Sequence, residues 1–390
     1  MTTLPLAGVR VLEFTHTVMG PTCGVVLGDL GADVIRIEPV PDGDPTRRLH
    51  GFGTGFFYYF NRNKRCICVD LKSSAGLDVA RDLLRSADVL IENFGPGTME
   101  RLGLGWEQAR VVNERLVYCA LKGFLPGPYE HRPALDEIAQ FMTGLAYMTG
   151  PPGRPLRAGS SVIDIMGGVM GDVAILAALR QRDRDGQGRK VTSTLFESSA
   201  FLVGQHMAGE AASGVAAPPM PARSSAWGIY ETFDTADGAQ LFIGITSDNH
   251  WRAFCQAFDH SDLLADRRFT TNADRVANRP VLRELVSEVA RARGARELAD
   301  AMDKANIPFS PVNTPSDLFH DPQLRQHALQ LRMPHGNTAD LPPLPIDIGG
   351  ETPGVRLQPP AAGEHTDAIL AEIGYAPERI AELREAGTVR

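Results

Sequence analysis

The chain has 390 residues, 43% hydrophobic and 22% charged, which excludes disordered and fibrous classes and supplies enough apolar surface for a core without disulfide or metal staples. Thirty-nine basic residues face 47 acidic ones, a formal charge of −8, and no basic run exceeds two residues, so a nucleic-acid partner is not expected. The cysteines (Cys23, Cys66, Cys68, Cys119, Cys255) are odd in number and lack a second paired knuckle, and the N-terminus MTTLPLAGVRVLEF has no signal pattern. Reduced thiols, no metal, no membrane span and a cytoplasmic setting are therefore expected.

In chain order, VRVLEF at 9–14 is a strand pattern, a Gly20-Pro21 turn opens a helical stretch at 23–32, and VIRIE at 34–38 is a second strand. Strand patterns at 65–71, 88–94 and 116–124 then alternate with helical patterns at 74–87 and 99–113. Short, continuously apolar strands between amphipathic helices predict a parallel sheet covered on both faces, an α/β domain of Rossmann-like type whose N-terminal part spans 1–205. Residues 206–225 turn to Ala, Gly, Pro and Ser, the pattern of an extended linker. A strand, an Asp237-Gly238 turn, a second strand and helices over 226–318 predict a smaller α+β domain. Residues 319–390 read as a return linker and two short amphipathic helices that rejoin the large domain. No internal repeat, heptad array or low-complexity tract is present.

The sequence lacks G-x-S-x-G, H-E-x-x-H and Walker A motifs, which leaves carboxylate chemistry. GFGTG at 51–55 has neither the setting nor the spacing of a dinucleotide fingerprint and reads as a plain glycine loop. Asp164 stands in RAGSSVIDIMGG, where small residues precede the acid and Gly167-Gly168 follow it into a long helix. Such an acid can face a ligand or serve as a helix N-cap, and Asp136, in RPALDEIAQ, has the same two readings.

An ordered series of segments resembles the family III CoA-transferases from about Leu6 to the C-terminus. It comprises GVRVLEFTHTVMGPTCGVVLGDLGADVIRIEP at 8–39, GDPTR at 43–47, NRNKR at 61–65, DLK at 70–72, ENFGPGTMERLG at 92–103, LKGF at 121–124, LDEIAQ at 135–140, the Asp164 segment, DGQGRKV at 185–191, DNHW at 248–251, DP at 321–322 and GEHT at 363–366. The resemblance implies an interlocked homodimer, acyl-CoA as substrate with no tightly bound cofactor, and Asp164 as the nucleophile. It places the CoA nucleotide and phosphates at Lys72, Asn93, Phe94 and Arg101, with Lys122 close by, and the thioester end near His16 and Val18. Val18 replaces a glutamine of the formyl-CoA transferase branch, which argues against oxalate or formyl-CoA as substrate. Asp136 matches a glutamate beside the nucleophile in that branch. The racemase branch carries a histidine base where this chain has Leu135, and His131 lies four residues short.

The expected reaction moves CoA from an acyl-CoA, succinyl-CoA being one donor of the right kind, to a carboxylic acid. A 2-methylacyl-CoA racemase and a non-catalytic acyl-CoA-binding subunit are the alternatives. A small dicarboxylate acceptor would need a cation for its distal carboxylate, and Arg47, Arg48 and Arg223 stand at loop positions that can supply one. Arg47 and Arg48 can equally hold CoA phosphates or pair with Asp42 and Asp44.

Overall fold

In the computed structural model, which describes residues 4–223 and 225–390, six strands form one sheet. They are β1 (Arg10–Phe14), β2 (Asp33–Glu38), β3 (Lys64–Cys68), β4 (Val89–Glu92), β5 (Val117–Lys122) and β6 (Arg189–Thr194). Every neighbouring pair is parallel and the order is β3-β2-β1-β4-β5-β6, that of a doubly wound sheet. The order reverses between β1 and β4, so the loops leaving those strands diverge and open a crevice at their C-terminal ends.

The strands are apolar along their length because both faces are covered. Leu12, Phe14, Ile35, Ile37 and Leu90 pack with Val79 and Leu83 of helix Ser74–Arg85 and with Ile369 and Leu383 of the C-terminal helices Thr366–Glu372 and Pro377–Glu385. On the other face Val11, Val34, Ile91 and Cys119 pack with Leu27 of helix Met19–Asp29 and Ile175 of helix Val162–Asp185. The C-terminal tail docks on the β3 edge, where the Asp70 amide donates to the Thr388 carbonyl at 2.8 Å and Val69 bridges Val389.

Several elements differ from the sequence expectation: Gly20 and Pro21 lie inside helix Met19–Asp29 instead of forming a turn before it, and the return linker holds an antiparallel pair, Leu329–Arg332 with Thr338–Leu341. The helical pattern at 99–113 is two helices, Thr98–Arg101 and Trp106–Val112, because Gly103 sits at φ 69° between them. Helix Leu195–Ser213 occupies the first part of the expected linker: its Ala-rich end favours helix, and Gly214 at φ 72° stops it. The edge strand β6, RKVTST, escapes the apolar pattern because it is only partly buried.

Helix Val162–Asp185 is long and apolar enough to cross a membrane, a stretch the sequence reading passed over. Here it is a core helix lying against helix Met19–Asp29 and the sheet. That approach depends on glycine. A Cβ at Gly168 would stand 2.6 Å from the Met19 carbonyl oxygen, and one at Gly171 would stand 2.8 Å from Leu121 Cδ2. A methyl at Gly168, which meets backbone, would push the helix, and Asp164 with it, away from helix Met19–Asp29 at a cost of about 1–3 kcal/mol, whereas at Gly171 the Leu121 side chain can give way.

Residues up to 221 with 323–390 form one compact unit and 222–322 a second. The second holds the antiparallel sheet β7 (Ile229–Asp234), β8 (Gln240–Ile245) and β9 (Phe309–Pro311), with Gly238 at φ 76° in the hairpin turn. Its core is built from Ile229, Ile243, Trp251, Phe254, Leu282 and Leu298.

Candidate active site

Strand register gathers charge beneath the crevice. Glu13 and Arg36 are partners in the β1–β2 ladder, and Glu38, two residues on, points to the same face as Arg36. Arg36 is fully buried; its guanidinium lies 2.6 Å from Glu13 Oε1 and 2.9 Å from Glu38 Oε1, and it also pairs with Asp44. Lys64 Nζ stands 2.8 Å from Glu13 Oε2, and burial lowers this ammonium to about 8 against the pull of Glu13. Burial would raise the Glu38 carboxyl, but hydrogen bonds from Arg47 and the charges of Arg36 and Arg47 hold it at about 2.

From this network a chain of hydrogen bonds runs to the loop after β1. The Asp44 amide donates to Glu38 at 2.8 Å, and Asp44 Oδ1 accepts from the amide and hydroxyl of Thr46 at 2.8 and 2.7 Å. Thr46 Oγ1 accepts from the Thr17 amide at 3.0 Å, which fixes Thr17 at φ 65°. Across the crevice Asn93 binds both polar groups of the His16 backbone: Oδ1 accepts from its amide and Nδ2 donates to its carbonyl, each at 3.0 Å. The His16 ring stacks on Phe94 with centroids 6.0 Å apart. Burial lowers the His16 pKa despite the pull of Asp44, so the imidazole is neutral near pH 7.

Two cavities meet at these loops. One, of about 640 Å³, is lined by Pro39, Val69, Lys72, Thr98 and Leu102; the other, of about 380 Å³, holds Val18, Lys122, Asp136 and Asp164. His16, Thr17 and Phe94 line both.

Asp164 lies in the first turn of helix Val162–Asp185, whose N-cap Ser161 makes no side-chain cap bond. Asp136 provides the cap from another segment. Its Oδ2 accepts from the amides of Ile163 at 2.7 Å and Asp164 at 3.1 Å, and its Oδ1 accepts from Gln140. Gln140 in turn accepts from the Ala158 amide at 2.9 Å. Two orphan donors of the helix are thus satisfied, and Asp136 is buried doing so. Burial, then the negative charges of Asp136 and Glu137, raise the Asp164 carboxyl to about 7.

His16, Val18, Asn93, Phe94 and Lys122 therefore share one cavity with both acids, and Lys72 lines the larger one. The Lys122 ammonium donates to Glu92 at 2.6 Å and to the Phe94 carbonyl at 2.8 Å. Arg101 lines neither cavity; its guanidinium donates to the Thr98 hydroxyl at 2.9 Å. Arg47 is engaged within the fold. Nε and Nη2 donate to Glu38, each at 2.7 Å, Nη1 donates to the Pro360 carbonyl at 2.7 Å, and the group lies 3.8 Å over the Phe57 ring. Arg48 is exposed, donates to the Asp42 carbonyl at 2.6 Å and lines neither cavity. Arg223 belongs to the second unit. His131 is exposed and 3.1 Å from Glu130, while Leu135 lines the smaller cavity.

Phe52 and Phe56, flanking the glycines that read as a plain loop, also line the smaller cavity, as do Arg132 and Glu137. The signal for the last two was their place beside Asp136 in sequence. Ligand atoms of Glu38, Cys66 and Cys68 lie within 4.8 Å of one another, but Glu38 is held by Arg36, Arg47 and the Asp44 amide, so a cation there would have to displace two guanidinium groups.

A carboxylate at the head of a core helix, at the switch point of a doubly wound sheet and beside a long cleft, defines an α/β enzyme of carboxylate chemistry. The chain belongs to CoA-transferase family III, whose family model matches residues 6–366, and it moves CoA between an acyl-CoA and a carboxylic acid. The acyl-CoA transferase of Fusarium pseudograminearum is 34% identical over 98% of this chain and 88% of its own length. The succinate–glutarate CoA-transferase of Agrobacterium fabrum is also 34% identical, over 95% of this chain and 96% of its own length. A solved CAIB/BAIF family protein from Brucella suis matches with a TM-score of 0.85 at 32% identity, covering 95% of this chain and 100% of that one.

The geometry sets a pH dependence. A carboxyl near 7 must lose its proton to act as a nucleophile, so kcat/KM is expected to fall as pH drops through about 7. Asp136→Asn removes the neighbouring negative charge and should move this acid limb to lower pH, only part of the way to the free carboxylate range because burial is the larger cause. Stopped-assay profiles from pH 5 to 9 check this; a limb that stays put or moves upward in the variant would refute the coupling.

Proposed function

We propose that the enzyme uses Asp164 as a covalent nucleophile to pass CoA from a short acyl-CoA, such as succinyl-CoA, to a small dicarboxylic acid. The observation that carries this reading is the Asp164 carboxyl itself: it lines the smaller cavity, its own amide is pinned by Asp136, and its proton is held near neutrality. The larger cavity, with the Lys72 ammonium and an apolar wall of Leu71, Val69 and Leu102, suits the nucleotide end of CoA. The dicarboxylates for which the Agrobacterium fabrum relative is named support the acceptor class.

The chemistry then follows from the carboxylate. An ionised Asp164 oxygen adds to the thioester carbonyl and expels CoA thiolate, leaving a mixed anhydride between Asp164 and the acyl group. The thiolate attacks Asp164 Cγ, which forms an aspartyl thioester and frees the first acid. The acceptor's carboxylate attacks that thioester carbonyl, regenerating a mixed anhydride and thiolate, and thiolate attack on the acceptor's carbonyl gives the new acyl-CoA and restores the Asp164 carboxylate. Each step exchanges one acyl bond for another. Water would drain every intermediate, and Val18, Phe52, Phe56 and Leu121 supply an apolar lining against it. A racemase would need a proton-accepting side chain at Leu135, which lines the same cavity as a hydrocarbon.

The five cysteines are free and buried, which supports a reducing, cytoplasmic setting. Val169, Val173, Phe201 and Met207 are exposed on helices Val162–Asp185 and Leu195–Ser213, an apolar surface that a second copy of the chain would cover in an interlocked homodimer.

Asp164→Ala should lower kcat for succinyl-CoA with glutarate by about a thousandfold or more while CoA affinity, read by calorimetry, changes little. Turnover within tenfold of the wild type would exclude Asp164 as nucleophile. Sedimentation at micromolar concentration should give a dimer; a monomer there would exclude the interlocked assembly.

A further inference from the structure

The proposed acceptor brings two negative charges into a cavity already lined by Glu130, Asp136, Glu137 and Asp164. One acceptor carboxylate must reach the reacting carbonyl, and the other has to be held by a cation, because an unpaired charge in a part-closed acidic cavity is strongly disfavoured. Among the described residues lining this cavity the basic side chains are His16, Lys122 and Arg132. His16 is neutral near pH 7, and Lys122 already spends donors on Glu92 and the Phe94 carbonyl.

Arg132 is different. Its backbone amide closes a turn on the Tyr129 carbonyl at 2.9 Å, but its guanidinium makes no hydrogen bond or ion pair among the described residues. It lies 5.0 Å from the centroid of the Tyr129 ring. That ring packs against Phe124 and Phe196 with centroids 5.7 and 6.2 Å away, and those two rings are 5.5 Å apart. The aromatic platform is anchored just beyond β5 and in helix Leu195–Ser213, so it presents the guanidinium without using up its N–H donors. Pro133 follows and restricts the backbone of Arg132.

We infer that Arg132 is the specificity-determining residue that binds the distal carboxylate of the dicarboxylic acid. This rests on the reading of a dicarboxylate acceptor given above. A bidentate guanidinium–carboxylate contact distinguishes a dicarboxylate from a monocarboxylate of equal chain length, since the monocarboxylate leaves the guanidinium with water. Arg132 takes no part in bond making; Asp164 does the same chemistry with either acid.

The test compares glutarate with pentanoate, and succinate with butyrate, as acceptors from one acyl-CoA donor, using wild type, Arg132→Met and Arg132→Lys. In the wild type kcat/KM favours the dicarboxylates. Arg132→Met should lower that preference by about ten- to a hundredfold, through KM for the dicarboxylate and not through kcat, and Arg132→Lys should restore part of it. A circular dichroism melt within a few degrees of the wild type, and an unaltered affinity for free CoA, show that the fold and CoA cleft are intact. A wild-type preference that survives in Arg132→Met overturns the role of Arg132 and leaves the dicarboxylate reading standing. A wild type that shows no preference overturns both.

Discussion

Arg36 is the constraint on which the site is built. A guanidinium fully buried in the middle of β2 holds Glu13, Glu38 and Asp44 at once, and each of those carboxylates commits a different piece of chain. Glu13 ties β1 and, through Lys64, β3 into the same cluster. Asp44 and Glu38 shape the loop after β2, and Thr46 carries that shape on to Thr17 and the loop beside the reacting centre. Desolvating so many charges is costly, and removing Arg36 would leave Asp44 buried without a cation and Glu13 and Glu38 with Lys64 and Arg47 alone, a loss of about 3–5 kcal/mol. What the network gives in return is geometry: the loops after β1 and β2 are held by the protein's own side chains.

Asp164, the proposed nucleophile, is governed by the opposite electrostatic arrangement. Among the described residues no cation is paired with Asp164; instead a second carboxylate, Asp136, binds its backbone amide and repels its ionised side chain. One residue thereby positions the proposed nucleophile and tunes it. A carboxylate in an ion pair would be a poor nucleophile with a low pKa, whereas one raised towards 7 is more basic and costs less to desolvate against a thioester. Placing the stabilising charge clusters beneath the loops and the destabilised carboxyl at the helix head separates structure from chemistry within a single crevice.

Much of the architecture was legible in the residues. Both-face burial made β1, β2, β4 and β5 continuous apolar runs, and the Asp237-Gly238 pair marked the hairpin of the second unit. What failed to show had physical causes. Gly103 splits a helix through a local backbone conformation that amphipathic periodicity does not report. Arg36 in an apolar strand gives no hint of the partners it will meet, since two of them come from another strand and a loop. Asp136 and Asp164 both read as caps of their own helices, and the true arrangement, in which one caps the other's helix, exists only in three dimensions. At Arg47 and Arg48 sequence shows the charge but not its partners, and Arg132, beside His131 in the same loop, carries no motif that marks it as lining the cavity.

The central claim is that the acyl group and then CoA are carried on Asp164, and trapping that intermediate tests it most directly. Enzyme incubated with succinyl-CoA and then quenched with hydroxylamine is digested and mapped by tandem mass spectrometry. The account predicts a hydroxamate on Asp164 alone, absent when the thioester is omitted and absent in the Asp164→Ala variant. A hydroxamate on another acidic residue, or none while CoA transfer proceeds at its normal rate, would contradict it.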